Sequence, residues 1–225
     1  EKNVVRAIQS VLEQSHTNLK LIIIDDLSTD DSVNKVKEFL KDNPQYADRV
    51  SLRENSEKLG KVRTMQLLFD KSKDLCTDAY IFTLNPDDYY TAPEFIEAVI
   101  IKMQKSHADI CVFNFDIEFE DESLKPNAAG LLEDQKAHHE ILAEICKSSG
   151  GVVTPEDMDV NSVSTLSWTK CYGPKATLPE LSENPFSSFL SVVSLMSAGR
   201  VTALDPNCKP IKYFRCASSM SGQRK

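Results

Sequence analysis

The 225-residue sequence carries 26 Lys and Arg against 34 Asp and Glu, a net charge of −8, so it lacks the diffuse positive field that holds a phosphate backbone, and nucleic acid is not expected as a partner. Its longest apolar runs fall well short of the roughly 20 residues that cross a bilayer and no signal-peptide pattern opens it, which predicts a soluble, cytoplasmic protein. The length suits one sizeable core, and six scattered cysteines without a CxxC pair read as reduced thiols rather than a zinc or redox site.

Val4, Val5, Ile8, Val11 and Leu12 recur at three- and four-residue spacing, which predicts an amphipathic helix over 3–14. The β-branched run over 19–24 then reads as a strand buried on both faces, as in a parallel sheet. Ser28 or Thr29 is placed to cap the next helix, with Val33, Val36, Phe39 and Leu40 as its buried stripe. A short strand at 50–52 precedes a helix that starts near Gly60 and carries Val62, Met65, Leu68 and Phe69. A second buried strand over 79–84 runs into Asn85-Pro86-Asp87-Asp88, a turn because proline cannot continue a central ladder. Phe95, Ile96, Val99, Ile100 and Met103 supply the face of the helix behind it, and Cys111, Phe113, Phe115, Ile117 and Phe119 alternate as one long strand with a wetter face.

Beyond Glu120 the pattern loosens. A loop over 121–130 leads to a helix with Leu131, Leu132, Ile141, Leu142 and Ile145, and an irregular stretch leads to a final helix over 185–198 and a strand from Ile211 to Cys216. The fold class is therefore α/β. His138-His139 lacks HExxH spacing and sits among Lys and Glu, so it reads as part of a solvated helix face rather than a metal site.

Strands followed by helices direct their C-terminal ends to one edge, where open α/β sheets bind ligands. Both acidic clusters fall at such ends, Asp25-Asp26 after the first strand and Asp87-Asp88 after the later one. A single Asp-rich turn reads equally well as helix capping. Two at the same edge favour Mn²⁺ or Mg²⁺, which take one or two carboxylates together with phosphate oxygens.

The segment from Val4 to Gln14, followed by Ile22-Ile23-Ile24-Asp25-Asp26-Leu27-Ser28-Thr29-Asp30, resembles the opening of family-2 glycosyltransferases, with Leu27 where the family usually has glycine. Glu54-Asn55, Gly60 and Arg63 are similar to the family's next segment, and Ile81-Phe82-Thr83-Leu84-Asn85-Pro86-Asp87-Asp88 resembles its DxDD turn with Asn85 replacing the first aspartate. Trp168-Thr169-Lys170-Cys171-Tyr172 looks like a W-x-K-hydrophobic-Tyr segment, and Ser182-Glu183-Asn184-Pro185-Phe186 resembles EDNPF. The family's first strand, expected to precede Glu1, is not in the sequence; a first helix beginning this early favours its omission from the sequence over its absence from the protein.

The resemblance implies an inverting GT-A fold of the kind used in bacterial surface-polysaccharide synthesis: a Rossmann-like, mostly parallel sheet flanked by helices. Residues 1–120 would form the nucleotide-sugar half and residues 121–225 the acceptor-side half. It further implies a nucleoside-diphosphate sugar, most simply a UDP-sugar, as donor, with a saccharide or lipid-linked saccharide as acceptor and peripheral association with the inner face of the membrane. By the same resemblance Asp25, Asp26, Gly60, Arg63 and Asp87 bind the nucleotide, Asp87 and Asp88 hold the cation, Trp168 touches the acceptor and Glu183 is the general base. Glu183 reads equally well as helix-start electrostatics before Pro185. Two other functions compete. Asn85, Ser182 and the missing strand fit a non-catalytic sugar-nucleotide-binding homologue, and Ile24-Asp25-Asp26 resembles the acidic pocket of a phospho-accepting receiver, which the Pro-containing turn at 85–88 fits poorly.

Overall fold

The structure, a computed structural model, describes residues 3–121, 129–158, 170–176 and 199–215. Helix α1 (Val4–Leu12) buries Val4, Ala7, Ile8 and Leu12. It packs with helix α2 (Ser32–Asp42) over β1 (Leu21–Asp25) and β2 (Val50–Glu54). β1 and β2 pair in parallel, from Leu21 opposite Val50 to Asp25 opposite Glu54. All five residues of β1 are half-buried rather than buried, because among the described residues it has a strand neighbour on one edge only. Helix α2 starts after the predicted caps: Ser28 donates its N–H to Asp25, and the helix opens at Ser32 behind Asp31.

Helix α3 (Gly60–Leu75) leads to β3 (Ile81–Phe82), the acidic turn, β4 (Tyr89–Tyr90) and helix α4 (Phe95–Ser106). The long strand predicted over 111–119 is two strands, β5 (Ile110–Val112) and β6 (Phe115–Phe119), in different sheets. Asn114 makes the break: its side-chain oxygen accepts the N–H of Phe115 and its amide donates to the Pro206 carbonyl. Helix α5 (Ala129–Ser148), β7 (Lys170–Tyr172), β8 (Val201–Ala203) and β9 (Ile211–Arg215) follow. The helix predicted over 185–198 lies outside the described residues.

One sheet has the order β3-β7-β5-β8 and a smaller one the order β4-β9-β6. Strands β3, β5 and β8 run the same way and β7 is reversed between β3 and β5. In the small sheet β6 and β9 are parallel and β4 is reversed. The expected parallel framework is thus present with one reversed strand in each of these two sheets.

Strand β5 shows why the core has two layers. Its side chains alternate, so Ile110 and Val112 meet α3 and α5 through Phe69, Leu142 and Cys146, while Cys111 on the other face meets α4 through Val99 and Met103. Each such side chain, fully withdrawn from water, contributes about 1.5–3 kcal/mol.

Helix α5 departs from the expected stripe. Ile141 is 48% exposed and His139 is 2% exposed, so the buried line runs through His139, Leu142, Ala143 and Cys146 and not through Ile141. His139 is therefore a core residue rather than part of a solvated face. Burial lowers its pKa to about 4 against the opposing pull of a backbone hydrogen bond at Leu204, with the charge of Lys170 a smaller push downward. The unfolded chain takes up this proton below about pH 6.5 and the folded chain does not until about 4. The contribution to stability is therefore complete above 6.5 and lost as pH falls from 6.5 toward 4, by up to about 1.4 kcal/mol per pH unit. We expect His139→Leu to lose about 1–2 kcal/mol less than the native chain between pH 7 and 5 in denaturant melts. An identical loss in both proteins would show that other groups set the acid limit.

Candidate functional site

The site begins where β1 ends. Asp25 is half-buried and its Oδ2 accepts the Ser28 N–H at 3.1 Å. Leu27 turns the chain with φ 57 and is 43% exposed, an uncommon backbone for a branched side chain. Asp26 points the other way, toward α3. Its Oδ1 accepts from Asn55 Nδ2 at 3.0 Å and the Leu59 N–H at 2.7 Å, and its Oδ2 accepts the Gly60 N–H at 2.8 Å. Burial pushes the Asp26 carboxyl up, but these donors and the charge of Lys58 outweigh it and hold the group below its usual range. Gly60 has φ +78, a left-handed backbone that glycine adopts without a Cβ penalty and that turns its N–H to the carboxylate.

Helix α3 opens from this anchor with Lys61 and Arg63 exposed on its first turn. Helix N-terminal ends carry free N–H groups and a partial positive charge, which favour phosphate oxygens.

Across the edge stands the acidic turn. Asp88 donates its N–H to the Asn85 carbonyl at 3.2 Å. Its carboxylate accepts from Asn85 Nδ2 at 2.7 Å and from the Phe214 N–H at 3.1 Å, and the residue is 0% exposed. Burial first, then the neighbouring Asp87, pushes Asp88 up to about 8, against the pull of Asn85, Phe214 and the charge of Lys61. That pull from Lys61 places the first turn of α3 within electrostatic reach of the acidic turn. Asp87 is half-buried.

Helix α1 holds this turn from behind. Ser10 Oγ accepts the Tyr90 N–H at 3.1 Å. The Arg6 guanidinium lies 4.1 Å from the Tyr89 ring centroid and 4.7 Å from that of Phe214, with Glu118 at 3.8 Å. Gln14, 4% exposed, donates to the Ala92 carbonyl at 3.0 Å and accepts the Ile96 N–H at 3.1 Å, so it caps α4.

The structure thus joins Asp26 to Gly60 at the start of α3, the turn that carries Lys61 and Arg63, and Lys61 acts electrostatically on Asp88 of the acidic turn; Asp25 and Asp87 are the neighbours of these two inward-turned aspartates. Glu183 and Trp168 lie outside the described residues. Lys61, Ser10 and Gln14 were given no role from sequence, and Asn55 was named only as part of a family-like segment. A lysine beside Gly60 was the available signal for the first, and the family-like segment from Val4 to Gln14 contained Ser10 and Gln14. Among the described residues no three His, Cys, Asp or Glu side chains gather into a ready cation cage. The donor set suits a hard cation that takes most of its oxygens from phosphate and few from protein.

Comparison with known proteins gives a consistent picture. The family model described as Glycosyl transferase family 2 matches residues 1–152. Processive diacylglycerol beta-glycosyltransferases of Mycoplasma genitalium and Mycoplasma pneumoniae are each 27% identical, over 107 and 109 residues, or 48% of this chain and 30% of theirs. The chain therefore spans under a third of the length of these curated relatives in the matched region. Among solved structures, S. aureus TarS 1–349 in complex with UDP superimposes with TM-score 0.66 at 15% identity, covering 96% of this chain and 57% of that one. The complex of the same protein with UDP-GlcNAc gives 0.65 at 16%, covering 100% and 58%.

The engagement of Asp26 by three protein donors predicts a structural cost for its loss. Asp26→Ala should destabilise the nucleotide-free protein by about 1.5–3 kcal/mol, the usual value of hydrogen bonds to a charged acceptor. Unchanged stability in a denaturant melt would show that this carboxylate does not anchor α3.

Proposed function

The chain belongs to glycosyl transferase family 2, and on that premise we propose that it transfers a sugar from a UDP-sugar to a saccharide or lipid-linked saccharide acceptor with inversion, in surface-polysaccharide synthesis. The observation that supports this reading is that Asp26, directly after β1, is bound to the start of α3, and that the charge of Lys61 on the first turn of that helix acts on the acidic turn. The UDP and UDP-GlcNAc complexes of TarS support the donor class, and the word diacylglycerol in the name of the Mycoplasma relatives supports an acceptor that carries a lipid; the inner face of the membrane is the place proposed for it. No helix among the described residues is long and apolar enough to cross a membrane, and the association proposed is peripheral.

The roles follow from chemistry and position. Asp25, an acceptor at the end of β1, takes the imide N–H of the base or a ribose hydroxyl. Arg63 and Lys61 face the diphosphate as cationic donors on a helix N-terminus. Asp87 holds Mn²⁺ or Mg²⁺, and a cation bound there stabilises charge on the leaving diphosphate. Glu183 takes the proton of the acceptor hydroxyl, on the side of the sugar carbon away from the leaving group.

Calorimetric titration with UDP tests the donor and cation together. We expect EDTA treatment, or Asp87→Ala, to weaken binding by about tenfold or more, 1.4 kcal/mol; binding equally tight in both would remove the cation. Glu183→Gln tests the base, with turnover lowered by about 10²-fold and UDP affinity unchanged. Near-normal turnover would leave Glu183 with a helix-start role, and a native protein that binds UDP but turns over no donor would favour the non-catalytic homologue.

A further inference from the structure

Two adjacent aspartates at a strand end invite the reading that both hold the cation. The geometry separates them. Asp88 is fully buried and both its oxygens already accept hydrogen bonds, one from the Asn85 side chain and one from the backbone of β9. β4 and β9 pair at Tyr89–Lys212 and Tyr90–Ile211. Phe214 lies beyond that ladder, where β4 has already become the acidic turn, and its N–H is received by the Asp88 carboxylate. A side chain thus continues the pairing after the backbone has turned away. The Phe214 ring on the same strand packs on Arg6 of α1, so the joint also fixes α1. Asn85 suits this arrangement because an amide can donate to Asp88, whereas the aspartate usual in the family would set a second carboxylate 2.7 Å from it.

We propose that Asp88 is a positioning residue and not a cation ligand: it ties the acidic turn to β9 and thereby fixes the backbone from which Asp87 meets the donor. The cation part rests on the function proposed above, while the tie between Asp88 and β9 does not. Asp88→Asn keeps a group able to accept the Phe214 N–H, and rotation of the Asn85 amide restores the second bond. A strut survives that change, whereas a cation ligand loses its charge.

The test combines amide hydrogen exchange at Phe214, followed by NMR in metal-free protein, with Mn²⁺-dependent UDP binding by calorimetry. Expected for Asp88→Asn are Phe214 exchange and Mn²⁺–UDP affinity within about threefold of native, with Asp87→Asn losing affinity by about tenfold or more. Asp88→Ala should speed Phe214 exchange by about tenfold or more, as for one lost buried hydrogen bond. Asp88→Asn weakening Mn²⁺–UDP binding as much as Asp87→Asn does would overturn the proposal, as would Asp88→Ala leaving Phe214 protected. If Asp88→Ala does not fold, the Asn variant decides. If the native protein binds no UDP, the donor reading fails by itself and Phe214 exchange in the Asn variant still decides the strut: fast exchange sinks it and native-like exchange supports it.

Discussion

The arrangement of the site depends on how α1 grips the chain after the acidic turn. Gln14 is buried, and a buried carboxamide must satisfy both ends or cost the full desolvation of the one left out. It does so by donating to Ala92 and accepting from the first turn of α4. Ser10, four residues earlier and inside α1, receives the N–H of Tyr90, and Arg6, another turn earlier, stacks on Tyr89. Arg6 and Ser10 on one face of α1, and Gln14 just past its C-terminal end, thus fix successive points of the segment that follows Asp88. A carboxylate aimed at a diphosphate is useful only if its backbone is held to a fraction of an ångström, and here a helix outside the sheet supplies that rigidity.

The two acidic pairs divide their work in the same way. In each, the second aspartate turns into the protein, and the first is half-buried beside it. Asp26 gathers N–H groups from Asn55, Leu59 and Gly60, and Asp88 gathers them from Asn85 and Phe214. Their electrostatic settings are opposite. Asp26 is surrounded by donors and the charge of Lys58 and lies below its usual range, whereas Asp88 is deep, beside Asp87, and pushed up to about 8. A buried carboxylate whose two oxygens are both engaged by protein donors is suited to bracing the backbone.

Much of this was legible in the sequence because it rests on periodicity. The stripes of α1, α2 and α4, the strands β1 and β9, and the placement of both aspartate pairs at strand ends follow from spacing alone. What periodicity carries stops at turns, where a side chain's direction is set by one or two dihedrals, so which aspartate of a pair faces inward was not readable. The break at Asn114 was hidden for a related reason: the alternation from Cys111 to Phe119 continues through it, and only the side-chain bonds of Asn114 reveal the change of sheet. On α5, polarity misled. A histidine among Lys and Glu looked solvated, yet the stripe set by Leu142 and Cys146 passes through His139 and leaves Ile141 outside.

The division of the chain near residue 120 does not separate folding units. β7, from the later part, lies between β3 and β5 of the earlier part, with Lys170, Cys171 and Tyr172 each at most 2% exposed. β9 lies between β4 and β6 in the same way. Without these insertions β3 and β5 would have no common neighbour among the described strands, and the carbonyls and N–H groups along their facing edges would lack partners. The strand that leads to Asp87 is therefore completed by residues from the part expected to meet the acceptor. Any displacement of β9 must be felt at Asp88, one residue from the carboxylate proposed to hold the cation, so the two ends of the transfer reaction share a single piece of framework.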